Sequence, residues 1–379
     1  MKIAWDISIQ NTPFRTGVER VQRNLLRELA SIDDKNEYLL ITKEWVEFDF
    51  PLPDNFRIVD LSDSDTTYLW RERLLPPLIK KEQIDIFHSP VSAVPVLGHC
   101  KKIATVHELP WVEREKGVEK VKKGHRVWLF LNTRFADCIV AVSYRTRSNI
   151  LLLYPNAEGR VKVIHNAVDP SFQRLENPPS RDLFLEDFNM PDAPFLLFVG
   201  SLRRKKNVGT LLDAFESMLE KGIGNLNIVL LGVKGAAWGD VRERIELSRL
   251  EKRVFVPGFV SDSDLLCFYN LAEIVVYPSL FEGFGLPPLE AMACGTPVIT
   301  TYGGAIPEIV EDAALLVEPR DVEGLRDAII TLHNNEAIRE EYIKRGFERV
   351  EGFSWSRAAA QYLQLYDELV NRPDSGPGS

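Results

Sequence analysis

Sulfur is scarce in this chain: four cysteines and four methionines among 379 residues. Cys100, Cys138, Cys267 and Cys294 form no C-x-x-C pair, and none lies near clustered histidines. That excludes a zinc centre of the common spacings. Cys138, Cys267 and Cys294 sit among apolar or small residues and are expected to be buried thiols. Positive charge is short as well, with Lys+Arg 46 against Asp+Glu 55 and a formal net charge of −9. General nucleic-acid binding needs a basic face and is not expected. Any anionic ligand must therefore be met by a local basic cluster. No apolar run reaches the about eighteen residues that a membrane span needs. No G-x-G-x-x-G follows the first strand of either half, which argues against an NAD-dependent dehydrogenase. No short-period repeat points to a solenoid. The start, MKIAWDIS, passes straight into a strand without the pattern of a signal peptide. The expected location is the cytoplasm, with the inner face of the membrane as a variant of it.

What is present is an alternation of strands and helices. Strands are expected at Ile3–Asp6, Tyr38–Thr42, Arg57–Leu61, Ile84–His88, Ile103–His107, Cys138–Val142 and Val161–His165. After a breaker-rich stretch (Asn177-Pro178-Pro179-Ser180, then Met190-Pro191-Asp192-Ala193-Pro194), the pattern restarts. It runs through Phe195–Val199, Asn227–Leu231, Val254–Val256, Ile274–Tyr277, Val298–Thr301 and Ala314–Val317. Helical periods lie between them. Val18, Val21, Leu25, Leu26 and Leu29 share one face, as do Val208, Leu211, Leu212, Phe215, Met218 and Leu219. Such alternation argues for an α/β chain with two doubly wound parallel sheets. The expected division is 1–180, 181–353, a closing helix over 354–370 and a Pro/Gly/Ser-rich tail over 371–379. Ligands of such sheets sit beyond the C-terminal ends of the strands.

The stretch from Tyr277 to Glu308 organises the chain. A short strand ends at Pro278-Ser279, a loop carries Gly283 and Gly285, and a helix starts near Pro287-Pro288 and stops at Gly295. Proline suits a first helical turn, and glycine suits the left-handed position just past a helix end. Strand, glycine loop and helix N-terminus together aim backbone N–H groups and the positive end of a dipole at one place, which suits an anion. Glu282 stands before the loop and Glu290 in the expected first turn, with seven residues between them. They either hold ligand hydroxyls or, more plainly, Glu290 complements the helix dipole and Glu282 is a solvated loop residue.

Glu282-Gly283-Phe284-Gly285-Leu286-Pro287, then Glu290-Ala291-Met292-Ala293 and Gly295-Thr296-Pro297-Val298, resembles the signature of the GT4-type retaining glycosyltransferases, which carry a Glu-x7-Glu motif in this setting. The resemblance implies the GT-B architecture: two Rossmann-like domains, with a C-terminal helix crossing back to the N-terminal one. It implies that Glu282 holds sugar hydroxyls and Glu290 the ribose. It implies transfer on the same face of the sugar without a metal or other cofactor, the leaving phosphate helping to deprotonate the acceptor.

Arg203-Arg204-Lys205-Lys206-Asn207 follows the strand FLLFVG and opens a helix, so four cations meet a helix N-terminus at a strand end. A solvated basic loop is the plainer alternative for a charge run. The segment resembles the family's donor-phosphate segment, with Lys206 at the position of its lysine. The arginine often found after the glycine is Ser201 here, and which of Arg203, Arg204 and Lys205 supplies a second cation stays open. His107, at the end of KIATVH, matches a family histidine that faces the transferred sugar, with Glu108 where an aspartate is usual. Gly17, in Thr16-Gly17-Val18-Glu19-Arg20, resembles the family's N-terminal glycine loop near donor phosphate and acceptor; a helix-start turn is the alternative. Gly232, after NIVLLG, and Gly258-Phe259, after RVFVP, would border base and ribose, or make tight turns.

Asp63-Ser64-Asp65 and Asp262-Ser263-Asp264 spell D-x-D. Two carboxylates alone make no metal site, and Ser261 or Asp262 reads better as a helix N-cap. Val118–Phe130, VEKVKKGHRVWLF, reads first as a helix with a solvated basic face and second as a patch for anionic membrane or a lipid-linked acceptor. The reading is a hexosyltransferase using a nucleotide sugar, GDP-mannose before a UDP-sugar, because RKKN, GVERV and FSW resemble bacterial mannosyltransferases. Its partner would be a glycan or lipid-linked acceptor. The rivals are a sugar-nucleotide epimerase on the same fold and a non-catalytic nucleotide-sugar-binding protein.

Overall fold

The computed structural model describes residues 1–8, 17–44, 46–61, 70–91, 93–109, 111–112, 123–222 and 225–371, with the side chains of 123–125 and 128 also outside the description. The chain divides into two compact units. One comprises Met1–Leu109, Val121–Ala167 and Trp355–Ser379; the other includes Val168–Ser354.

Among the described residues of the first unit, seven strands form one sheet: β1 (Lys2–Asp6), β2 (Glu37–Thr42), β3 (Phe56–Asp60), β4 (Ile86–Ser89), β5 (Lys101–Val106), β6 (Cys138–Ala141) and β7 (Val161–Val163). Their order is β3-β2-β1-β4-β5-β6-β7, and every pair is parallel. Parallel strands are covered on both faces and so read as nearly continuous apolar runs. Ile3, Ala4, Trp5, Leu40, Ile41, Ile86, Phe87, Ile139 and Val140 are accordingly fully buried. The helices between them are α1 (Gly17–Ile32), α2 (Trp70–Glu82), α3 (Lys123–Phe135) and α4 (Tyr144–Leu153). Val21, Leu25, Leu26 and Leu29 of α1 face the core as their period requires. Val18 is only half-buried, and Glu19 is buried in its place.

The second unit repeats the plan with β8 (Phe195–Val199), β9 (Asn227–Leu231), β10 (Val254–Gly258), β11 (Ile274–Tyr277), β12 (Val298–Thr301) and β13 (Leu315–Val317), ordered β10-β9-β8-β11-β12-β13. Its helices are α5 (Arg181–Glu186), α6 (Val208–Glu220), α7 (Trp238–Leu247), α8 (Asp262–Leu271), α9 (Leu286–Ala293), α10 (Ile306–Val310), α11 (Val322–Asn334) and α12 (Glu336–Val350). The proline-rich stretch before β8 packs on this unit: Phe172 stands edge-on to Tyr269 at 5.6 Å and Phe184 edge-on to Phe268 at 4.9 Å.

The last helix, α13 (Trp355–Val370), belongs to the first unit. Ala358, Ala359, Tyr362, Leu365, Tyr366 and Leu369 are buried on one face at helical spacing. Ser356 hydrogen-bonds Glu28 of α1, and the Tyr366 hydroxyl lies 2.8 Å from His88 Nδ1 on β4. In each unit the order of strand addition reverses beside the first strand, between β1 and β4 and between β8 and β11. Such switch points are where open α/β sheets take ligands.

Candidate functional site

The second unit's switch point is built from two loops. After β8 the chain turns at Gly200, makes a 3-10 turn over Arg204–Lys206 and enters α6 through Asn207, whose φ is +55°. After β11 it passes Pro278-Ser279 and the glycine loop and enters α9 at Gly285, whose φ of +117° favours glycine. The loops are stitched together: Leu280 N–H donates to Lys205 O at 2.8 Å, and Asn207 Nδ2 donates to Pro278 O at 3.0 Å. Gly304 backs the second loop, where an added Cβ would come 2.3 Å from Glu282 O. Ala305 N–H donates to that same oxygen at 2.9 Å.

This scaffold brings Lys205, Lys206 and Glu282 together. Lys206 Nζ donates to Glu282 Oε1 at 2.7 Å and also to the Tyr277 hydroxyl. It stands 4.7 Å from the Tyr277 ring centroid. Lys205 Nζ lies 3.6 Å from Glu282 Oε2, and Ser279 Oγ hydrogen-bonds Oε1. Lys206 is 9% exposed and Glu282 7% exposed. Burial by itself would push the Glu282 carboxyl up, but the Lys205 and Lys206 ammonium groups and the hydrogen bonds from Lys206 and Ser279 outweigh it. They hold the group well below the usual carboxylate range. Glu282 is therefore an ionised, buried ligand of two cations and not a solvated loop residue.

Glu290 is the fifth residue of α9, past the first turn in which it was expected. The dipole term falls off within that turn, so complementing the dipole no longer accounts for it. Glu290 is 6% exposed and accepts a hydrogen bond from the Tyr269 hydroxyl at 2.8 Å. Gly283 and Phe284 are buried, with Phe284 edge-on to Phe353 at 5.8 Å, and Leu286 is half-buried. Arg203 is exposed, and Arg204 pairs with Asp240 on α7 at 3.3 Å. Of the four cations, Lys205 and Lys206 converge on Glu282, whereas the ion pair with Asp240 turns Arg204 elsewhere.

Gly232 and Gly258 turn the chain after β9 and β10. A Cβ at Gly232 would lie 2.4 Å from Gly200 O, so the approach of the β8 and β9 loops itself demands glycine there. Gly232 N–H donates to Gly258 O at 2.8 Å, and Phe259 is 46% exposed.

His107, Glu108 and Gly17 belong to the first unit. His107 follows β5, and its Nε2 lies 2.8 Å from Pro90 O. A carbonyl only accepts, so Nε2 carries the proton and, in the neutral ring, Nδ1 is an acceptor. Burial lowers the His107 pKa, against the opposing effects of the Pro90 carbonyl and Glu108. Glu108 is half-buried, and Gly17 is exposed as the first residue of α1. At the end of β1, Asp6 is fully buried and grips Arg71 at 2.7 Å, while Gln22 Nε2 donates to Asp6 O at 2.7 Å.

Of the D-x-D pairs, Asp63–Asp65 lies outside the described residues, as does the Val118–Lys122 part of the basic stretch. Ser261 is the N-cap of α8 and accepts from Asp264 N–H at 3.1 Å, as an N-cap reading requires. Cys138 and Cys294 are buried, but Cys267 is only half-buried, because it lies on the solvent side of α8 from Phe268. Sequence reasoning missed Tyr277, Ser279, Tyr269 and Gly304. The loop after β11 itself brings Ser279 to Glu282 three residues on, whereas the order of the parallel strands brings Gly304 to it from beyond β12.

Two family descriptions match the chain: Glycosyltransferase Family 4 over residues 15–172, and Glycosyl transferases group 1 over residues 181–349. O-antigen chain mannosyltransferase B of Escherichia coli is 30% identical over 237 residues, which span 62% of this chain and 61% of that protein. The match thus covers less than two thirds of that relative. Sucrose-phosphate synthase from Thermosynechococcus elongatus superposes with a TM-score of 0.78 at 23% identity, covering 97% of this chain and 99% of that one. HepE from Anabaena, solved in complex with UDP and glucose, gives 0.75 at 19% identity, covering 97% and 100%. These likenesses establish the GT-B architecture. The chain belongs to the GT4-type glycosyltransferase family.

Proposed function

We propose that the protein is a retaining, metal-independent glycosyltransferase that moves a hexose from a nucleoside diphosphate sugar to a glycan or lipid-linked saccharide. The observation that carries this reading is the convergence of Lys205 and Lys206 on buried Glu282 beside the N-terminus of α9. An arriving diphosphate gives the two ammonium groups a second anion. Glu282, released from part of its ion pairing, then accepts hydrogen bonds from sugar hydroxyls, and Glu290, oriented by Tyr269, accepts those of the ribose. As the bond from the anomeric carbon to phosphate oxygen breaks, the lysines and the helix end stabilise the developing negative charge. The acceptor oxygen bonds to the same face of the anomeric carbon, and its proton goes to the leaving phosphate. Neutral His107 offers Nδ1 to a hydroxyl of the transferred sugar, and Gly17 lets backbone approach the ligands.

GDP-mannose is the first donor of choice, supported by the mannosyltransferase named above, and a UDP-sugar is the second, supported by the UDP held by HepE. Thermal unfolding with GDP, UDP, ADP and their sugar conjugates, with and without EDTA, tests this. A ligand of the folded state at a hundred times its Kd adds about 2.7 kcal/mol. A selective rise with GDP-mannose that EDTA leaves unchanged, followed by label transfer to a glycan acceptor, is the expected result. Conversion of the free nucleotide sugar without an acceptor would instead make the protein an epimerase, and binding without any turnover would make it a non-catalytic binder.

A further inference from the structure

Lys206 Nζ has two neighbours of different kinds. Glu282 Oε1, at 2.7 Å, carries counter-charge; the Tyr277 hydroxyl, which accepts a hydrogen bond from the same ammonium, is a phenol. A lysine is a point charge on a flexible stem, with rotatable donors and no geometry of its own. Its aim is set by the acceptors around it.

Tyr277 is built as a fixed seat. It is the last residue of β11, which lies between β8 and β12, and it is 1% exposed. Thr300 stands opposite it on β12 and donates its Oγ1 to Tyr277 O at 2.8 Å. On the other side the Tyr277 ring lies 18° from parallel with that of Phe198 on β8, at 6.1 Å. The Lys206 stem runs beside Gly200 in the same corner: a Cβ there would lie 3.6 Å from Lys206 Cε and 3.4 Å from Phe198 Cζ.

Glu282 is held differently at its two oxygens. Oε1 takes hydrogen bonds from both Lys206 and Ser279. Among the described residues, Oε2 has only the ion pair with Lys205 at 3.6 Å, beyond hydrogen-bond reach. Oε2 thus has acceptor capacity to give to a sugar hydroxyl, and a diphosphate can take over part of the counter-charge. Tyr277, packed between two strands, is the partner that Lys206 keeps throughout.

We propose that Tyr277 is a positioning residue for transfer: its hydroxyl keeps the Lys206 ammonium aimed at the leaving phosphate oxygen while Glu282 changes partners. This rests on the reading of Lys206 as the phosphate-binding cation. Attraction between an ammonium and a diphosphate falls off slowly with distance and tolerates misalignment. Stabilising the one oxygen on which charge develops depends on direction. The hydroxyl therefore acts on kcat more than on donor binding.

Tyr277→Phe, which removes one oxygen and keeps the ring, tests it in the full chain. The assay follows release of nucleoside diphosphate from GDP-mannose with methyl α-mannoside as acceptor, or from UDP-glucose where UDP is the nucleotide that raises the unfolding temperature. Calorimetry gives the Kd of the same nucleoside diphosphate. The expected result is a kcat lowered about ten- to a hundredfold, the worth of a hydrogen bond to a charged group. Kd and the nucleotide-induced rise in unfolding temperature stay as in the wild type. Tyr277→4-aminophenylalanine keeps the size of the side chain but donates where the phenol accepts; it gives the same loss and replaces the first variant if that one folds poorly. In the Lys206→Met background the hydroxyl has nothing left to aim, so Tyr277→Phe/Lys206→Met turns over at the rate of Lys206→Met alone. An additive loss in the double variant overturns the inference, because Tyr277 would then only hold the fold. So does a wild-type kcat in either Tyr277 variant, or a loss confined to Kd. A wild-type rate in Lys206→Met is a different failure: it removes the reading of Lys206, and the role of Tyr277 with it.

Discussion

β4 and β11 hold the same place in their sheets, each added beside the first strand of its unit on the side away from the second. Their ends carry opposite solutions to burying polar atoms. At the end of β4, fully buried His88 places Nδ1 2.8 Å from the Tyr366 hydroxyl and Nε2 3.0 Å from Thr105 Oγ1, under the cover of α13. Burial, aided by His107, holds its pKa down at about 3, so the ring is neutral. At the end of β11, Glu282 is held ionised by two lysines, one of which also hydrogen-bonds the neutral Tyr277 hydroxyl. A neutral hydrogen-bonded pair can be sealed beneath a helix for good. Buried ions persist only while paired, and a set with more positive than negative charge keeps an electrostatic reason to receive an anion. The first site holds the fold; the second is built to exchange partners.

The largest effect is expected where exchange matters. Lys206→Met should lower the transfer rate about a hundred- to a thousandfold, the size of removing one preorganised donor to a developing oxyanion. Initial rates with labelled donor check it, and the nucleotide-induced rise in unfolding temperature should vanish with the activity. A rate close to wild type would place the phosphate-binding cation elsewhere.

Glu282→Gln should cost stability by about 3 kcal/mol, because two largely buried ammonium groups lose their carboxylate. The Glu282 pKa is depressed in the folded state from its ordinary 4.5. Its contribution is thus present above pH ~4.5 and lost as the pH falls through the lower folded value. The stability gap between wild type and Glu282→Gln, from urea titrations, should therefore narrow only on strong acidification. A gap independent of pH over that range would mean that the ion pairing contributes nothing.

His88 gives a contrasting pH signature. Its folded pKa lies below the ordinary 6.5, so the unfolded chain binds the extra proton between the two values, and stability falls as pH drops below 6.5. Each pH unit in that window costs up to about 1.4 kcal/mol. His88→Gln should remove the His88 share of the slope, while the share of His107, whose pKa burial also lowers, and the slope due to Glu282 remain. The smallest change is Tyr366→Phe, which deletes the hydroxyl opposite His88 and should cost about 1 kcal/mol, with transfer and nucleotide binding untouched. A large loss of transfer in this variant would break the division between a site that holds and a site that exchanges.

Much of this was legible in the order of residues. Each of the thirteen expected strands is present among the described residues, because buried parallel strands are short apolar runs bounded by glycine, proline and polar residues. The caps read correctly too: Gly295, just past α9, has a φ of +75°, and Ser261 caps α8. The spacing of Glu282 and Glu290 and the basic run at 203–206 were visible as motifs. Cys267 was misjudged because apolar neighbours in sequence do not say which side of a helix faces water.

What the sequence determined by itself is therefore local: period, punctuation and the strand–glycine–helix motif, all set by neighbours within a few residues. Tertiary structure alone decided that Lys205 and Lys206, rather than Arg203 or Arg204, converge on Glu282, and that Tyr277 meets Lys206. Those partners stand 71 and 76 residues from Lys206 in the chain in the case of Tyr277 and Glu282. Only the crossover that sets β11 beside β8 puts their side chains in one place. No pattern of nearby residues encodes a contact between two strand ends, because that contact depends on the sheet order that the whole unit adopts.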